Sequence, residues 1–586
     1  MSHSPQPDSP QSASPPAGRH QRLVLAVLIF AQVLIWIDGT ALTTAYETLA
    51  DPVRGLGASP GQLQWATGSY TLVLATATFT GGALGDRFGH RNTLLTGMAL
   101  FGLASIGAAY SQDSGQLIAA RAVMGLGAAL LIPATLATVS FTFEPARRPA
   151  AFGVLGSFAG VGIAAGPVLA GLLLARFWWG SVFLINVPVV ALGLVAIART
   201  VPNFRPPQKR GLDFPGLVLS TAGLGLLSYG LIRAGQDGTL GEPAVWGTIL
   251  GGVLFTAAFL VVELRLAYPS FDPRLFRHRQ FAAGNIALSM VFLALSAAGY
   301  YFAFYLQGVR GYSALHAALL GMPGALGVVA GAPIAARLAR RTSVRLVAGT
   351  TLLVATTTML VFSRFGLHTP IPLYVGVLVV QAAAIGMTIS PLTGAVLSSL
   401  PLAQAGSGSA VNATMRQTGS VLGIAVGGTV LSIVYRRAVH GATAELPAPL
   451  KQQAETSAEL ARNVARQHGP AGLAHQADVA FVHAMHVGLV WAAAAVAIGA
   501  VLVVSGFRAP KAGAPATATE PAAEPAAAEP AAIQLAATQP ATPPSPAAPP
   551  PAAALPPEAL LGPPPQRTPA AETVPAPPPR SSGSPN

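Results

Sequence analysis

The sequence has 586 residues, 52% hydrophobic and only 9% charged, where a soluble domain carries about 25% charged residues. Zero cysteines exclude a disulfide framework, a thiolate metal site and a cysteine nucleophile. The net charge of +13 is spread over short loops between apolar runs instead of forming a patch, so it reads as a topology signal and no nucleic-acid partner is expected.

Residues 1–21 are polar and Ser/Pro-rich, and a disordered cytoplasmic tail is expected there. The apolar run that follows is longer than a signal-peptide core and has no clear small-residue cleavage site, so it is expected to remain as the first span. Runs near the bilayer-spanning length of about 20 residues predict fourteen helices. They lie at 22–47, 62–84, 93–111, 115–141, 150–175, 180–199, 213–233, 244–264, 281–306, 314–337, 346–363, 371–397, 408–435 and 481–506. The expected fold class is an all-α membrane protein: an N-terminal six-helix bundle at 22–199, an inserted two-helix segment at 200–280 and a C-terminal six-helix bundle at 281–506.

Alternate loops hold clusters such as Arg87 and Arg91, Arg147 and Arg148, Arg205, Lys209 and Arg210, or Arg337, Arg340 and Arg341. The opposite short loops hold mostly one basic residue each, such as Arg54, Arg176 and Arg310. Positive charge resists translocation, which places both termini in the cytoplasm. The 436–480 stretch is then a long extracytoplasmic loop, helical in part over 450–467, and the Ala/Pro-rich 507–586 is a disordered cytoplasmic tail.

Laying Gly81–Arg91 on Gly331–Arg341 superposes glycine, Arg87 on Arg337 and Arg91 on Arg341. Repeated halves are how many secondary transporters build a site that two bundles rock around.

Two charges inside apolar runs stand out. Asp38 in the first predicted helix is costly, by about 2.5–3.5 kcal/mol on insertion scales, and such a residue is a functional candidate. Arg121 in the fourth predicted helix sits at a similar depth, given the helical rise per residue. The two are expected to face one cavity and to associate according to the protonation of Asp38, because burial disfavours and an arginine favours a charged carboxylate. A static structural pair is the alternative.

Other patterns carry a resemblance. They are Asp38-Gly-Thr40, Gly82-Ala-Leu84-Gly-Asp86-Arg87-Phe-Gly89-His-Arg91, Arg121-Ala-Val-Met-Gly125, Gly162-x-x-x-Gly166-Pro167 and Ser409-Ala-Val-Asn412-Ala-Thr-Met-Arg416. Together they resemble the fourteen-span drug:proton antiporter family of the major facilitator superfamily, similar to quaternary-ammonium-compound exporters. The resemblance implies that Asp86 meets the start of the thirteenth helix near Gly408 and Ser409, with Gly82, Arg87, Gly89 and Arg91 completing that loop. It also implies that Gly162, Gly166 and Pro167 form the antiporter motif. Thr40, Trp65, Asn412 and Arg416 are the expected substrate-cavity residues. Ala413 stands where the family places an acid, and Glu47 where it places proline.

Trp178 and Trp179 suit an interfacial belt. Tyr300, Tyr301, Phe302, Phe304 and Tyr305 read either as such a belt or as an aromatic wall for cationic drugs. No phosphate-binding Gly-x-x-x-x-Gly-Lys loop, metal-ligand cluster or Gly-x-Ser-x-Gly elbow is present, so an enzyme and a cofactor are not expected. The expected function is proton-coupled efflux of amphiphilic drugs or antibiotics across the bacterial cytoplasmic membrane by a monomer, with protons, substrate and the lipid bilayer as partners. The alternative is a facilitator that exports or equilibrates an endogenous metabolite.

Overall fold

The computed structural model describes residues 17–144, 147–204, 213–239, 241–266, 269, 271–400, 405–468 and 472–507. Of the expected tails 1–21 and 507–586, residues 1–16 and 508–586 lie outside the described residues, as do Arg205, Lys209 and Arg210, while residues 17–21 belong to the first helix instead of a disordered tail. The helices are α1 (Ala17–Thr44), α2 (Tyr46–Ala50), α3 (Pro60–Phe88), α4 (His90–Ala109), α5 (Ser114–Thr142), α6 (Arg148–Leu174), α7 (Ser181–Leu184), α8 (Asn186–Thr200) and α9 (Phe214–Asp237). They continue as α10 (Pro243–Arg265), α11 (Arg279–Phe304), α12 (Ala314–Arg341), α13 (Val344–Phe362), α14 (Ile371–Ser398), α15 (Ala405–Val439), α16 (Ala448–Thr456), α17 (Ala458–His468) and α18 (Leu473–Gly506).

Among the described residues there is no strand, and 12 helices are long and apolar enough to cross a membrane. The expected second and fifth spans correspond to α3 and α6, helices of 29 and 27 residues. α3 is diluted by Gln62, Gln64, Thr67, Ser69 and Thr71, and the apolar stretch described in α6 is Ala165–Leu174. Large apolar side chains such as Leu103, Leu192, Leu326 and Val501 point outward, as expected for helices whose solvent on that face is lipid.

The pairings of the first half recur in the second. α3 packs on α5 as α12 packs on α14; α4 on α5 as α13 on α14; α1 on α6 as α11 on α15; and α4 on α8 as α13 on α18. The repeated glycine accounts for one of these equivalences. A Cβ on Gly81 would come within 2.2 Å of the Ala129 carbonyl oxygen, and one on Gly331 within 2.6 Å of that of Ala383. Each glycine lets its helix lie directly on the backbone of the corresponding neighbour. The halves meet through α6 against α12 and α3 against α15, while α9 lies on α3 and α15 and carries α10 on its far side.

Two expectations are corrected. Tyr300, Tyr301 and Tyr305 are 2%, 1% and 1% exposed, so the aromatic cluster is not an interfacial belt. The Tyr300 hydroxyl donates to the Pro60 carbonyl at 3.2 Å and its ring packs edge-on against Tyr46, placing it between the halves. Trp178 is half exposed but Trp179 is buried at 7% and packs against Phe183. Long-range packing, which the local pattern does not encode, decides both.

In the 436–480 segment, α16 and α17 are separated by Ser457, whose side chain accepts from the Leu460 amide. Arg462 of α17 reaches Glu47 of α2 at 3.3 Å, Glu459 at 2.5 Å and Asp478 at 2.7 Å. This segment is thereby tied to α2, the short helix that follows the first span.

Candidate functional site

The local sequence of the sixth predicted span shapes the site. Pro188 lacks an amide hydrogen and its ring opposes the carbonyl four residues back, that of Leu184, where the helix divides into α7 and α8. Asn186 opens α8 at this break with its side chain buried at 1% exposure. It donates from Nδ2 to Asp38 Oδ1 at 3.1 Å and to Ser105 Oγ at 3.3 Å.

The other oxygen of Asp38 faces Arg121. Nη1 lies 2.5 Å from Asp38 Oδ2, and Nε donates to the Ala66 carbonyl at 3.1 Å. The guanidinium stands over the Tyr70 ring, 4.4 Å from its centroid, and 6.0 Å from that of Phe183. Asp38 is 3% exposed and Arg121 0%, and the Arg121 Nη2 makes no hydrogen bond. An acid and a base that each cost several kcal/mol when buried alone are thus held together by α1, α3, α5 and α8. The paired state is stable; the loss of either charge leaves its partner poorly compensated. Asn186, Ser105 and Tyr70 were not singled out from sequence. Asn186 is uncharged, and its signal was its place in the 177–188 run, whose pattern resembles the drug-exporter family.

The expected cavity residues do not share one place with this pair. Thr40 turns away from Asp38, donates to the Trp36 carbonyl at 3.0 Å, and packs against α6. A Cβ on Gly166 would fall 2.0 Å from Thr40 Oγ1 and 2.6 Å from the Ile37 carbonyl oxygen, and one on Gly162 2.8 Å from Trp36 Cβ. Gly162 and Gly166 are therefore the contact of α6 with α1, and Pro167 lies next to it within α6. Trp65 packs on Leu72, Leu224 and Val421, at the junction of α3, α9 and α15. Asn412 donates to Asn285 Oδ1 at 2.8 Å, linking α15 to α11. Arg416 stands 5.1 Å from the Phe292 ring centroid. Asn412 and Arg416, four residues apart on α15, both face α11, whereas Thr40 and Trp65 meet other neighbours.

The loop motif closes on its own half. Gly89 has φ of 95°, open to glycine at little cost, and makes the turn between α3 and α4. The His90 amide donates to the Phe204 carbonyl at 3.2 Å and Arg91 Nη2 to the Ala198 carbonyl at 2.5 Å. Asp86 Oδ1 lies 3.5 Å from His90 Nε2, and Arg87 is exposed beside Phe88. Gly82 faces Pro133 with room for a methyl group, the nearest atom being 3.7 Å from its Cβ position.

The chain is similar to known transporters over most of its length. The family model described as Major Facilitator Superfamily matches residues 28–424. The methyl viologen resistance protein SmvA of Salmonella typhimurium is 32% identical over 434 residues, 74% of this chain and 86% of that protein. The cephamycin export protein CmcT of Amycolatopsis lactamdurans is 36% identical over 434 residues, 72% of this chain and 86% of that protein. The multidrug efflux pump LfrA of Mycolicibacterium smegmatis is 32% identical over 417 residues, 71% and 81% of the two. Among solved structures, a bacterial homologue of the lysosomal transporter Spinster, inward-facing and unoccupied, has a TM-score of 0.57 at 15% identity, covering 85% of this chain and 100% of that one. The helical repeat, the apolar outer faces and these similarities agree: the chain is a transporter and not an enzyme, and it belongs to the Major Facilitator Superfamily.

Proposed function

We propose that the protein is a proton-coupled exporter of small amphiphilic drugs or antibiotics in the bacterial cytoplasmic membrane, with fourteen spans counting α3 and α6 and both termini cytoplasmic. The observation that carries the reading is the buried Asp38–Arg121 pair. The names of the relatives, a resistance protein, an antibiotic export protein and a multidrug pump, support the substrate class.

Protonation of Asp38 removes the charge that compensates Arg121. The guanidinium keeps the Ala66 carbonyl and the Tyr70 face, but the attraction between α1 and α5 falls. α1 is then free to shift against α6 at the Gly162 and Gly166 contact, and α6 carries the shift to α12, where Gly171 lies against the Leu315 backbone. A proton at one carboxyl thereby biases the contact between halves. For exchange in opposite directions, proton and substrate must favour different states of that contact.

The test is uptake into inverted membrane vesicles under an imposed pH gradient, with wild type and Asp38→Asn compared over a panel of dyes, antibiotics and antiseptic cations. Wild type accumulates a subset of the panel and the variant loses gradient-driven accumulation. Equal accumulation by the variant removes Asp38 from the coupling. Accumulation that ignores the gradient replaces antiport with the uniport of a metabolite or drug.

A further inference from the structure

α10 touches the rest of the protein chiefly through α9, yet the two enclose space against the bundles. A cavity of about 470 Å³ lies between α9 and α10 on one side and α3, α11 and α15 on the other, within the range of roughly 300–1,000 Å³ typical of small-molecule sites. Its wall is largely apolar. Phe259, Phe271 and Phe276 form a run of adjacent rings with centroids 5.7 and 5.9 Å apart. Leu260 both lines the cavity and is 37% exposed on the outer flank of α10, so the cavity borders the lipid side of the hairpin.

Two carboxyl groups stand at one end of this apolar space, the end where α9 begins and α10 finishes. Asp213 caps α9, its Oδ1 accepting from the Gly216 amide at 2.8 Å. Its Oδ2 is shielded from solvent and accepts no hydrogen bond. Glu263 lines the same cavity and is 0% exposed. Asp213 Oδ2, a shielded acceptor left unmatched, is unfavourable, the more so when charged, and an ammonium N–H is the donor that matches a carboxylate oxygen best. Aromatic rings beside it add attraction for a cation. The Asp38–Arg121 pair does not border this space.

We propose that this cavity is a loading site for lipophilic ammonium ions, an apolar body carrying a protonated amine, taken from the bilayer leaflet beside α10 with the amine directed to Asp213 Oδ2. The proposal rests on the export reading and adds where the substrate first meets the protein. The aromatic run holds the body, and the acidic end selects the charge.

The absence of cysteine makes a direct test available. Ser220→Cys and Thr418→Cys place single thiols on opposite walls, and Leu250→Cys places one on the outward flank of α10. In full-length protein in lipid nanodiscs, N-ethylmaleimide labels all three. Dodecylammonium protects the two cavity thiols, dodecanol does not, and neither protects Leu250→Cys. Adding Asp213→Asn, which retains a good N-cap oxygen for Gly216, raises the half-protecting concentration at least tenfold. Equal protection by dodecanol, no protection, or cavity thiols that never react overturns the proposal. Export of the dye panel in inverted vesicles is read separately. Export without protection discards this site alone, whereas protection without export leaves an amine-binding cavity and discards the export reading.

Discussion

Asn186 Nδ2 lies 3.1 Å from Asp38 Oδ1, so the oxygen that Arg121 does not engage is held by a neutral amide from α8. Both carboxylate oxygens are thus matched in a space where Asp38 is 3% exposed. Asn186→Leu leaves Oδ1 and Ser105 without that donor, and the cost of an unmatched buried group is about 1–3 kcal/mol. Thermal unfolding of the purified variant in nanodiscs is expected to show a lowered Tm, with Asn186→Leu/Asp38→Asn destabilised by less than the sum of the two single variants. A double variant as unstable as the sum of the two singles would mean that the contact carries no coupling.

Arg121 makes three different contacts with one side chain: the Asp38 carboxylate, the Ala66 carbonyl and the Tyr70 face. A lysine has a single compact charge and no planar fork, so it cannot reproduce them together. Arg121→Lys is expected to retain folding and lose most gradient-driven export. Arg121→Ala, which strands a buried carboxylate, is expected to lower stability by about 3–5 kcal/mol. The check is a pair of measurements, vesicle transport and thermal unfolding. Full transport by the lysine variant would show that only the charge matters.

The helices were legible because lipid imposes long apolar runs, and Asp38 and Arg121 were legible because charge is conspicuous within them. The repeated Gly81 and Gly331 also carried its meaning in sequence, since each sits where a helix must approach a backbone. What could not be read was which neighbour each face meets. Tyr300 at a helix end has the composition of a belt, but its partner Tyr46 lies in the other half. Trp65 and Asn412 are polar or aromatic within apolar helices, yet one meets α9 and α15 and the other Asn285. The cavity beside α10 escaped for the same reason: Asp213 and Glu263 are fifty residues apart in sequence, and only the hairpin brings them to one end of it.

The glycines of the two motifs are not equivalent. Gly166→Ala places a methyl carbon 2.6 Å from the Ile37 backbone oxygen, which forces α1 and α6 apart, and it is expected to abolish export and lower the Tm. Gly82→Ala meets nothing closer than 3.7 Å and is expected to fold with an unchanged Tm. Gly89→Ala requires φ of 95° from a residue with a Cβ and meets the Asn203 side chain besides; the backbone alone disfavours it by roughly 1–2 kcal/mol. Thermal unfolding of the three variants ranks them, and a Gly82→Ala as damaging as Gly166→Ala would contradict this packing.

The contact between Glu47 and the α17 segment gives a pH dependence with a definite sign. Burial, and then a hydrogen bond with Glu459, raises the Glu47 carboxyl well above the ordinary carboxylate range despite nearby Arg462. Burial also acts against the charge of Glu459, but the hydrogen bond from Glu47 together with Arg462 outweighs it and lowers that group. The pair therefore favours the proton on Glu47 and the charge on Glu459. A carboxyl raised on folding contributes stability that is complete below its unfolded value and is lost as pH rises through its folded value. Wild type should accordingly lose stability, relative to Glu47→Gln, as pH climbs from the ordinary carboxylate range through the raised Glu47 value, because glutamine keeps the neutral form at every pH. Glu459 acts in the opposite sense, its contribution disappearing as pH falls below the ordinary range, and Glu459→Gln should flatten that acidic limb while moving the other, because Glu459 also helps to raise Glu47. Tm measured against pH for the three proteins separates the two limbs. Parallel curves for wild type and Glu47→Gln would mean that Glu47 is charged in the folded protein and that Arg462 alone holds the segment to α2.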